Sequence, residues 1–255
     1  MIGTELSLSP NTGLAERIYI HLFGIPINGL RIRLRRILPF LTGNPSRILD
    51  AGCGRGVFTY ELAKRFPEAK VVGIDLDQDQ LRTNKDIAQR ANISNIEFQH
   101  GDVAKISIKS EFDLVLSVDN LEHVEDDQGA LRALASALQP GGRLILHVPG
   151  YERRWFLFSF RENFSVPGHR RPGYTLEAII EMISATNLLI VEQASYTFGW
   201  LETFSNNISY LITKAEAKNR IIYALFFPLL NLLSWLGRNS HPPKGAGILV
   251  IATRK

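Results

Sequence analysis

Residues 48–56 read Ile48-Leu-Asp-Ala-Gly-Cys-Gly-Arg-Gly56 and carry the strongest indication of the fold. A short apolar run ends at a carboxylate, Asp50. Three glycines at alternate positions follow it, and a segment of helical period begins at Phe58. Glycines in such a turn allow positive φ values and let the backbone approach a ligand closely. The stretch therefore predicts a strand, a ligand-binding turn and a helix.

The spacing of these glycines separates this turn from the dinucleotide-binding fingerprint. That fingerprint is G-x-G-x-x-G, whereas this turn is G-x-G-x-G and continues with Val57 and Phe58. Asp50 directly before the turn would also repel a pyrophosphate. We therefore expect a ligand with a positive charge or an ammonium group, and NAD is disfavoured.

Around this turn, apolar β-prone runs alternate with helical segments, which is typical of a parallel sheet with crossover helices. The predicted strands are 47–50, 71–75, 96–99, 112–117 and 143–148, and the predicted helices are 58–66, 78–91 and 126–138. Gln139-Pro-Gly-Gly142 is a strong helix stop. The pattern predicts a doubly wound α/β domain.

After Pro149 the alternation stops. We expect an irregular aromatic stretch over 155–160, a polar loop over 168–173, and a helix that Thr175 caps and that ends at about Thr186. Leu188–Val191 and Gly247–Thr253 resemble two late strands, and the long segment between them should hold helices. The predicted organisation is an N-terminal helical cap (1–43) and one domain (44–255), with substrate-side insertions at 150–174 and 197–245.

Two segments raise the question of a membrane. The apolar run 221–236 has sixteen residues and is shorter than the roughly 20 needed to span a bilayer. We predict a core or lid helix there, with a membrane-surface element as the alternative. The segment 30–41 is predicted to be an amphipathic helix on the domain edge with its arginines in water.

Charge is unevenly distributed along the 255 residues. The chain carries 29 Lys and Arg against 25 Asp and Glu, for a net charge of +4. Residues 44–150 hold 12 bases and 16 acids, or −4, whereas 1–43 carry +3 and 151–255 carry +5. This charge is too small to favour nucleic acid as a partner. One cysteine, Cys53, and no evident signal peptide predict a cytoplasmic location, with membrane association as the alternative.

Three acids end three successive predicted strands, namely Asp50, Asp75 and Asp102. The carboxyl ends of parallel strands line the crevice where such sheets bind ligands. A carboxylate at Asp75 can accept both hydroxyls of a ribose, and Asp102 can accept from an exocyclic amine.

These motifs, in this order, resemble the class I S-adenosylmethionine-dependent methyltransferases. Asp50-Ala-Gly-Cys-Gly-Arg-Gly56 is similar to the family's first motif, Gly73-Ile-Asp-Leu76 to its second and Gly101-Asp-Val103 to its third. Phe112–Ser117 followed by Leu121-Glu-His123 resembles the fourth, in the form seen in the branch of the ubiquinone-pathway O-methyltransferases, and Pro140-Gly-Gly142 resembles the last. The resemblance implies a seven-stranded, mostly parallel Rossmann-like sheet.

The resemblance also implies which residues bind S-adenosylmethionine. Gly52 and Gly54 would lie against its methionine part, with Asp50 near the amino group. Asp75 would hold the ribose hydroxyls and Leu76 would pack on the adenine face. The adenine edge would meet Asp102 and Val103, and Ser117 and Val118 would border the methionine part.

Methyl transfer is an in-line displacement, so positioning should supply most of the acceleration. A hydroxyl acceptor also needs a base, for which His123 and His169 are the candidates. Asp119, Asn120 and Glu122 form one polar cluster, but without distant ligands we predict no metal.

Acceptor specificity is expected outside the shared core. The candidate substrate residues are Trp155, Phe158, Arg170, Arg171, Tyr174 and Trp200. They suggest an oxygen of a hydrophobic or amphipathic small molecule, such as a quinone precursor, a lipid or a natural product. The alternatives are a protein or nucleic-acid methyltransferase, or a non-catalytic S-adenosylmethionine-binding protein at a membrane surface. The oligomeric state is open.

Overall fold

The computed structural model describes residues 1–155, 159–162, 168–213 and 219–255. Within these ranges it describes every side chain except those of residues 153–155 and 159–162. Two N-terminal helices, α1 (Leu14–Phe23) and α2 (Asn28–Ile37), precede the sheet. The first half of the sheet region is β1 (Arg47–Ala51), α3 (Val57–Arg65), β2 (Lys70–Asp75), α4 (Gln78–Arg90) and β3 (Ile96–His100). It continues with β4 (Phe112–Val118), α5 (Asp127–Ala137) and β5 (Leu138–Pro149).

The second part of the chain adds β6 (Glu152–Trp155), β7 (Ser159–Glu162), α6 (Leu176–Ser184), β8 (Leu189–Thr197), α7 (Trp200–Thr213), α8 (Arg220–Leu236) and β9 (Gly247–Arg254). The main sheet has seven strands in the order β3-β2-β1-β4-β5-β9-β8. Strand β9 runs antiparallel to both β5 and β8, and the other pairs are parallel. The predicted doubly wound, mostly parallel sheet is confirmed.

The strands are buried on both faces. Leu49 and Val115 pack with α5 and α6 on one face, while Ile48 and Leu116 pack with α3 on the other. Consecutive residues of a strand point to opposite faces, which is why these strands read as continuous apolar runs. The strand order reverses between β1 and β4, so the crevice between their carboxyl ends is the switch point of the sheet.

Local capping sets the beginnings of several helices. Asp77 accepts from the N–H groups of Asp79 and Gln80 at the start of α4. Thr175 Oγ1 accepts from Ala178 N at the start of α6, as its sequence predicts. Helix α5 ends at Ala137, before the predicted stop, and β5 begins at once at Leu138 and includes the Pro-Gly-Gly turn.

Two expectations for the second half need correction. The stretch at 155–160 is not wholly irregular, because β6 and β7 pair as an antiparallel hairpin in which Trp155 is opposite Ser159. Aromatic residues are favoured in strands, but a run of them shows no alternation that would have revealed this. Strand β8 is longer than predicted because a register shift between Val191 and Gln193 lets its pairing with β9 continue to Thr197.

The arginines of α2 do not lie in water as expected. Arg31 donates to the carbonyls of Ile25 and Phe23 and lies over the ring of Phe227 at 4.9 Å. The other three bind side chains of distant elements: Arg33 pairs with Asp119, Arg35 with Ser234 and Asn231, and Arg36 with Glu202. Helix α2 is therefore a polar connector that joins α7 and α8 to the sheet.

Candidate active site

The turn after β1 has the backbone that its glycines suggest. Gly52, Gly54 and Gly56 have φ values of 77°, 48° and 73°. The N–H groups of Gly52 and Cys53 both donate to Ile74 O, at 2.8 and 2.9 Å, so the turn is bound to the end of β2. A Cβ on Gly54 would meet open space, which leaves the outer side of the turn accessible to a ligand.

Asp75 connects this turn to the end of β2. Its Oδ2 accepts from Gly54 N at 2.7 Å, and its Oδ1 accepts from Asp77 N at 3.0 Å. The next side chain, Leu76, is 64% exposed although it is apolar. A carboxylate held by backbone donors beside an exposed apolar side chain is suited to hydroxyl groups and to the face of an aromatic ring.

Asp50 lies beneath the glycine turn and is buried. Its Oδ2 accepts from Thr59 Oγ1 at 2.6 Å. Burial raises the pKa of Asp50 to about 7, and the nearby Asp75 acts in the same direction. The carboxyl therefore gains its charge most readily when a cationic group is bound close to it.

The ends of β3 and β4 complete the edge. Asp102 Oδ1 accepts from Ala104 N at 3.0 Å and its Oδ2 lies 3.2 Å from Lys105 Nζ, while Val103 is buried. On β4, Ser117 is buried, and its Oγ has no hydrogen-bond partner among the described residues. Val118 next to it is half-buried.

Asp119, directly after β4, is the centre of a polar network. The residue has a positive φ of 47°. Its carboxylate lies 2.5 Å from an Arg33 nitrogen and 2.6 Å from His147 Nδ1, and His147 Nε2 lies 3.0 Å from Thr197 Oγ1. Burial alone would raise the pKa of Asp119, but Arg33 and His147 outweigh it and lower that pKa. The loop after β4 is thus held to α2, β5 and β8.

The two candidate bases lie together although 46 positions separate them in the sequence. The rings of His123 and His169 are 4.6 Å apart between centroids, at an interplanar angle of 81°. His123 Nδ1 lies 3.0 Å from Gly168 O. A carbonyl only accepts, so Nδ1 carries the proton and Nε2 keeps its lone pair. Burial and the neighbouring His123 lower the pKa of His169, which keeps that ring neutral near pH 7.

Glu122 lies beside this histidine pair and is fully buried. Neither carboxyl oxygen has a hydrogen-bond partner within the described ranges. Burial raises the pKa of Glu122 to about 9, and the charge of Asp119 adds to the effect. The carboxyl is therefore protonated at neutral pH.

The ligand atoms of Glu122, His123 and His169 lie within 4.8 Å of one another and could hold a divalent ion. The expectation that no metal binds rested on the lack of a distant ligand, and His169 is such a ligand. That argument is therefore wrong, while the absence of a metal stays a prediction.

The structure places the expected substrate residues in different surroundings. Arg171 pairs with Asp127 and donates to Val124 O and Glu125 O, and Tyr174 OH donates to Asp127 at 3.0 Å. These contacts hold the 168–174 loop to the loop after β4. Arg170 has an exposed side chain, and its N–H donates to Glu122 O at 2.7 Å.

Trp200 is exposed and stacks on Phe204 with centroids 5.8 Å apart. It lines a cleft of about 180 Å³ together with Phe198, Pro242, Pro243 and others. Phe198 lies 6.4 Å from the His147 ring, so this cleft borders the polar network. Phe158 lies outside the described residues, as does the side chain of Trp155.

Two contributions to the site escaped the sequence-based prediction. The side chain of Asn120 fills the space next to Gly52. A Cβ added at Gly52 would lie 2.9 Å from the Cβ of Asn120, so the loop after β4 packs closely against the glycine turn. Arg33 reaches Asp119 from α2, within the predicted N-terminal helical cap. No local motif marks either contact.

The protein is thus a doubly wound α/β domain whose candidate ligand site lies at the switch point of the sheet. The carboxylates and the glycine turn at this site are suited to a ligand that carries a positive charge and hydroxyl groups. Residues 44–207, more than half of the chain, match a family described as a methyltransferase domain. The chain belongs to this methyltransferase family, which confirms the resemblance.

Individual relatives are more distant. The chain is 29% identical over 115 residues to a ubiquinone biosynthesis O-methyltransferase of Acinetobacter baumannii, covering 44% of this chain and 48% of that protein. It is 36% identical over 104 residues to a trans-aconitate 2-methyltransferase of Deinococcus radiodurans, covering 41% and 38%. The chain thus spans less than half the length of these two relatives.

Among solved structures, a phosphoethanolamine N-methyltransferase 2 of Haemonchus contortus, in complex with phosphomonomethylethanolamine and S-adenosylhomocysteine, superposes with a TM-score of 0.62. The match covers 100% of this chain and 61% of that one at 19% identity. At this identity the likeness shows the fold alone.

Proposed function

We propose that this protein transfers a methyl group from S-adenosylmethionine to an oxygen of a hydrophobic or amphipathic small molecule. The observation that carries the proposal is the His123–His169 pair, which lies directly after the Asn120 contact with the glycine turn. A base that adjoins the cofactor edge is required for a hydroxyl acceptor and is dispensable for an amine that is already neutral.

The residues at the cofactor edge support binding of S-adenosylmethionine. Asp75 and Leu76 would hold the ribose and the adenine, and Asp102 with Val103 would border the adenine edge. Asp50, Gly52, Gly54, Ser117 and Val118 would surround the methionine part. When bound, S-adenosylmethionine supplies an electrophilic methyl group on a sulfonium.

His123 is the proposed base. Its Nε2 lone pair is available because Nδ1 donates to Gly168 O, so it can accept the hydroxyl proton of the acceptor as the new bond forms. His169 packs against that ring at its edge. Because His169 is neutral near pH 7, it adds no positive charge that would oppose the imidazolium formed on His123. The protonated Glu122 adds no negative charge at neutral pH, so it does not hold a proton on the histidines.

The surroundings of Trp200 support an apolar acceptor. Phe198, Trp200 and two prolines line the cleft beside the polar network, and the two curated relatives carry names of small-molecule methyltransferases. The exposed side chain of Arg170, with its backbone fixed to Glu122, is positioned to meet a polar end of the acceptor.

Incubation with S-adenosylmethionine labelled in its methyl group tests the proposal. A cell extract is divided after reaction into lipid, soluble-metabolite, protein and nucleic-acid fractions. We expect label in lipids or in solvent-extractable metabolites, with the methyl group bound to oxygen as a base-stable ether or a base-labile ester. Label confined to protein, nucleic acid or strongly polar metabolites would show that the proposed acceptor class is wrong.

A further inference from the structure

Helix α8 presents one wholly apolar side to solvent. Its other side is buried, with Tyr223, Phe227, Leu230 and Ser234 at helical spacing. The exposed side chains range from 44% exposure at Trp235 to 80% at Ile221. They are Ile221, Ile222, Leu225, Phe226, Leu229, Leu232, Trp235 and Leu236. A contiguous apolar side of this size marks an interaction site, unlike scattered single residues.

Helix α1 extends this surface. Leu14, Ile18 and Leu22 are exposed at spacings of four residues and therefore share one side of α1. Tyr19 OH donates to Ala224 O at 2.6 Å, so α1 lies against α8. We name the exposed apolar residues of the two helices the α1/α8 face.

The dimensions of α8 fit a helix that lies in a membrane surface. Its 17 residues measure about 25 Å along the axis. No helix within the described ranges is long and apolar enough to cross a membrane. Because its other side is packed on the protein, α8 can present only one side to lipid.

The charges around α8 complement an anionic surface. Residues 217–255 contain no Asp or Glu. Lys214, Lys218 and Arg220 precede or begin α8, with Glu216 as the one acid among them, and Arg238 follows its end. The Arg238 guanidinium lies 3.8 Å from the centroid of the Trp235 ring, which places an amphipathic aromatic ring and a cation together at that end. Basic residues beside an apolar helix face attract anionic lipid headgroups.

The same charges disfavour binding of a second copy of this chain to the α1/α8 face. Two copies that meet across a two-fold axis bring the same patch together. Since both ends of α8 are basic, either a parallel or an antiparallel arrangement would place like charges near one another. We propose that the α1/α8 face docks the protein on a bilayer surface that contains anionic lipids.

This docking goes beyond the proposed reaction, and the fold connects the two. Helix α2 holds α8 through Arg31 and Arg35, and the same helix holds the loop after β4 through Arg33. A surface-bound α8 would therefore keep the site at a fixed height above the lipid, where amphipathic molecules concentrate.

Vesicle flotation of the full chain tests the docking. The vesicles are phosphatidylcholine alone or with about 30 mol% phosphatidylglycerol. The variant combines Leu225→Gln with Leu229→Gln, and the matched control is Ile190→Gln, since Ile190 is a 55% exposed residue of β8 outside the α1/α8 face. All three residues are exposed, so the variants should fold; circular dichroism and thermal melts check this.

We expect the wild type and the control to float with the anionic vesicles, more weakly at high salt. The double variant should lose binding by about tenfold or more, because two leucines no longer enter the apolar layer. Failure of the wild type to float, or equal binding by the double variant, would overturn the proposal. So would a wild-type dimer without vesicle binding that the double variant converts to a monomer in sedimentation equilibrium, because a second copy would then cover the face. Flotation needs no methyl donor, so its outcome is independent of the outcome of the labelling experiment.

Discussion

The rings of His123 and His169 meet edge to face, with centroids 4.6 Å apart, at the carboxyl end of β4. His123 comes from the turn after that strand, and His169 from the loop before α6. The contact therefore brings together two nitrogen bases from segments that are far apart in the chain.

Replacing His123 with alanine should lower kcat by about 10² to 10⁴, the usual contribution of a positioned base. Binding of S-adenosylmethionine, measured by isothermal titration, should be unchanged because His123 is absent from the proposed cofactor residues. The matched control is His21→Ala, since His21 is an exposed histidine of α1. A variant that keeps its kcat would contradict the assignment of His123 as the base.

The pH profile should carry the signature of His169. Burial and His123 lower its pKa from the ordinary 6.5, so its neutral form persists to more acidic pH. Because a positive charge on His169 would oppose the imidazolium formed on His123, we expect protonation of His169 to lower kcat/KM only below pH 6.5. Replacing His169 with asparagine should move this acidic limb, whereas an unmoved limb would remove His169 from the reaction.

Chelation tests the metal question at the same residues. We predict that dialysis against a chelator leaves kcat unchanged, because His123 acts as a base without an ion. If activity disappears and returns with a divalent ion, the prediction is wrong and Glu122, His123 and His169 are the candidate ligands. The Glu122→Gln variant would then lose affinity for the ion.

Replacing Asp75 with asparagine should weaken binding of S-adenosylmethionine by about 10-fold to 100-fold, the range of a lost charge-assisted hydrogen bond. Asn also provides a less suitable acceptor for Gly54 N, so the turn loosens. Asp79→Asn is the control, since that carboxylate is highly exposed on α4. Equal affinities for the two variants would show that Asp75 does not bind the cofactor.

Replacing Glu122 with glutamine should stabilise the protein at alkaline pH. The folded state raises the pKa of Glu122 to about 9, whereas the unfolded chain ionises near the ordinary value of 4.5. As pH rises between these values, the unfolded state releases a proton that the folded state keeps, so stability falls. Thermal melts from pH 5 to pH 9 should therefore decline less steeply for Glu122→Gln. Glu181→Gln, an exposed change, should follow the wild type.

Replacing Arg36 with alanine should lower the free energy of unfolding by about 3 to 5 kcal/mol, because the buried Glu202 loses its partner. Arg36 also binds Ser240, so α7 and the end of α8 should loosen together. The control is the exposed Arg132→Ala, and adding Glu202→Gln to Arg36→Ala should recover part of the loss. Chemical denaturation measures both, and no recovery would indicate that lost packing dominates.

Local sequence patterns predict the strands of the main sheet, their order along the chain and the glycine turn after β1. The Gly52–Gly56 turn and the Thr175 cap depend on local backbone conformation, which nearby residues impose. Continuous apolar runs in the sequence likewise indicate that the strands are buried on both faces.

The roles of the segments that lie far apart in the chain depend on tertiary contacts. The His123–His169 contact and the ion pair of Arg33 with Asp119 join elements far apart in the chain, and no local period records such pairs. Helix α8 shows the same limit, because a helix that is apolar on all sides does not reveal which side the protein covers. Packing of α8 on α1 and α2 determines which side of α8 is buried, and it leaves Leu225 and its neighbours exposed.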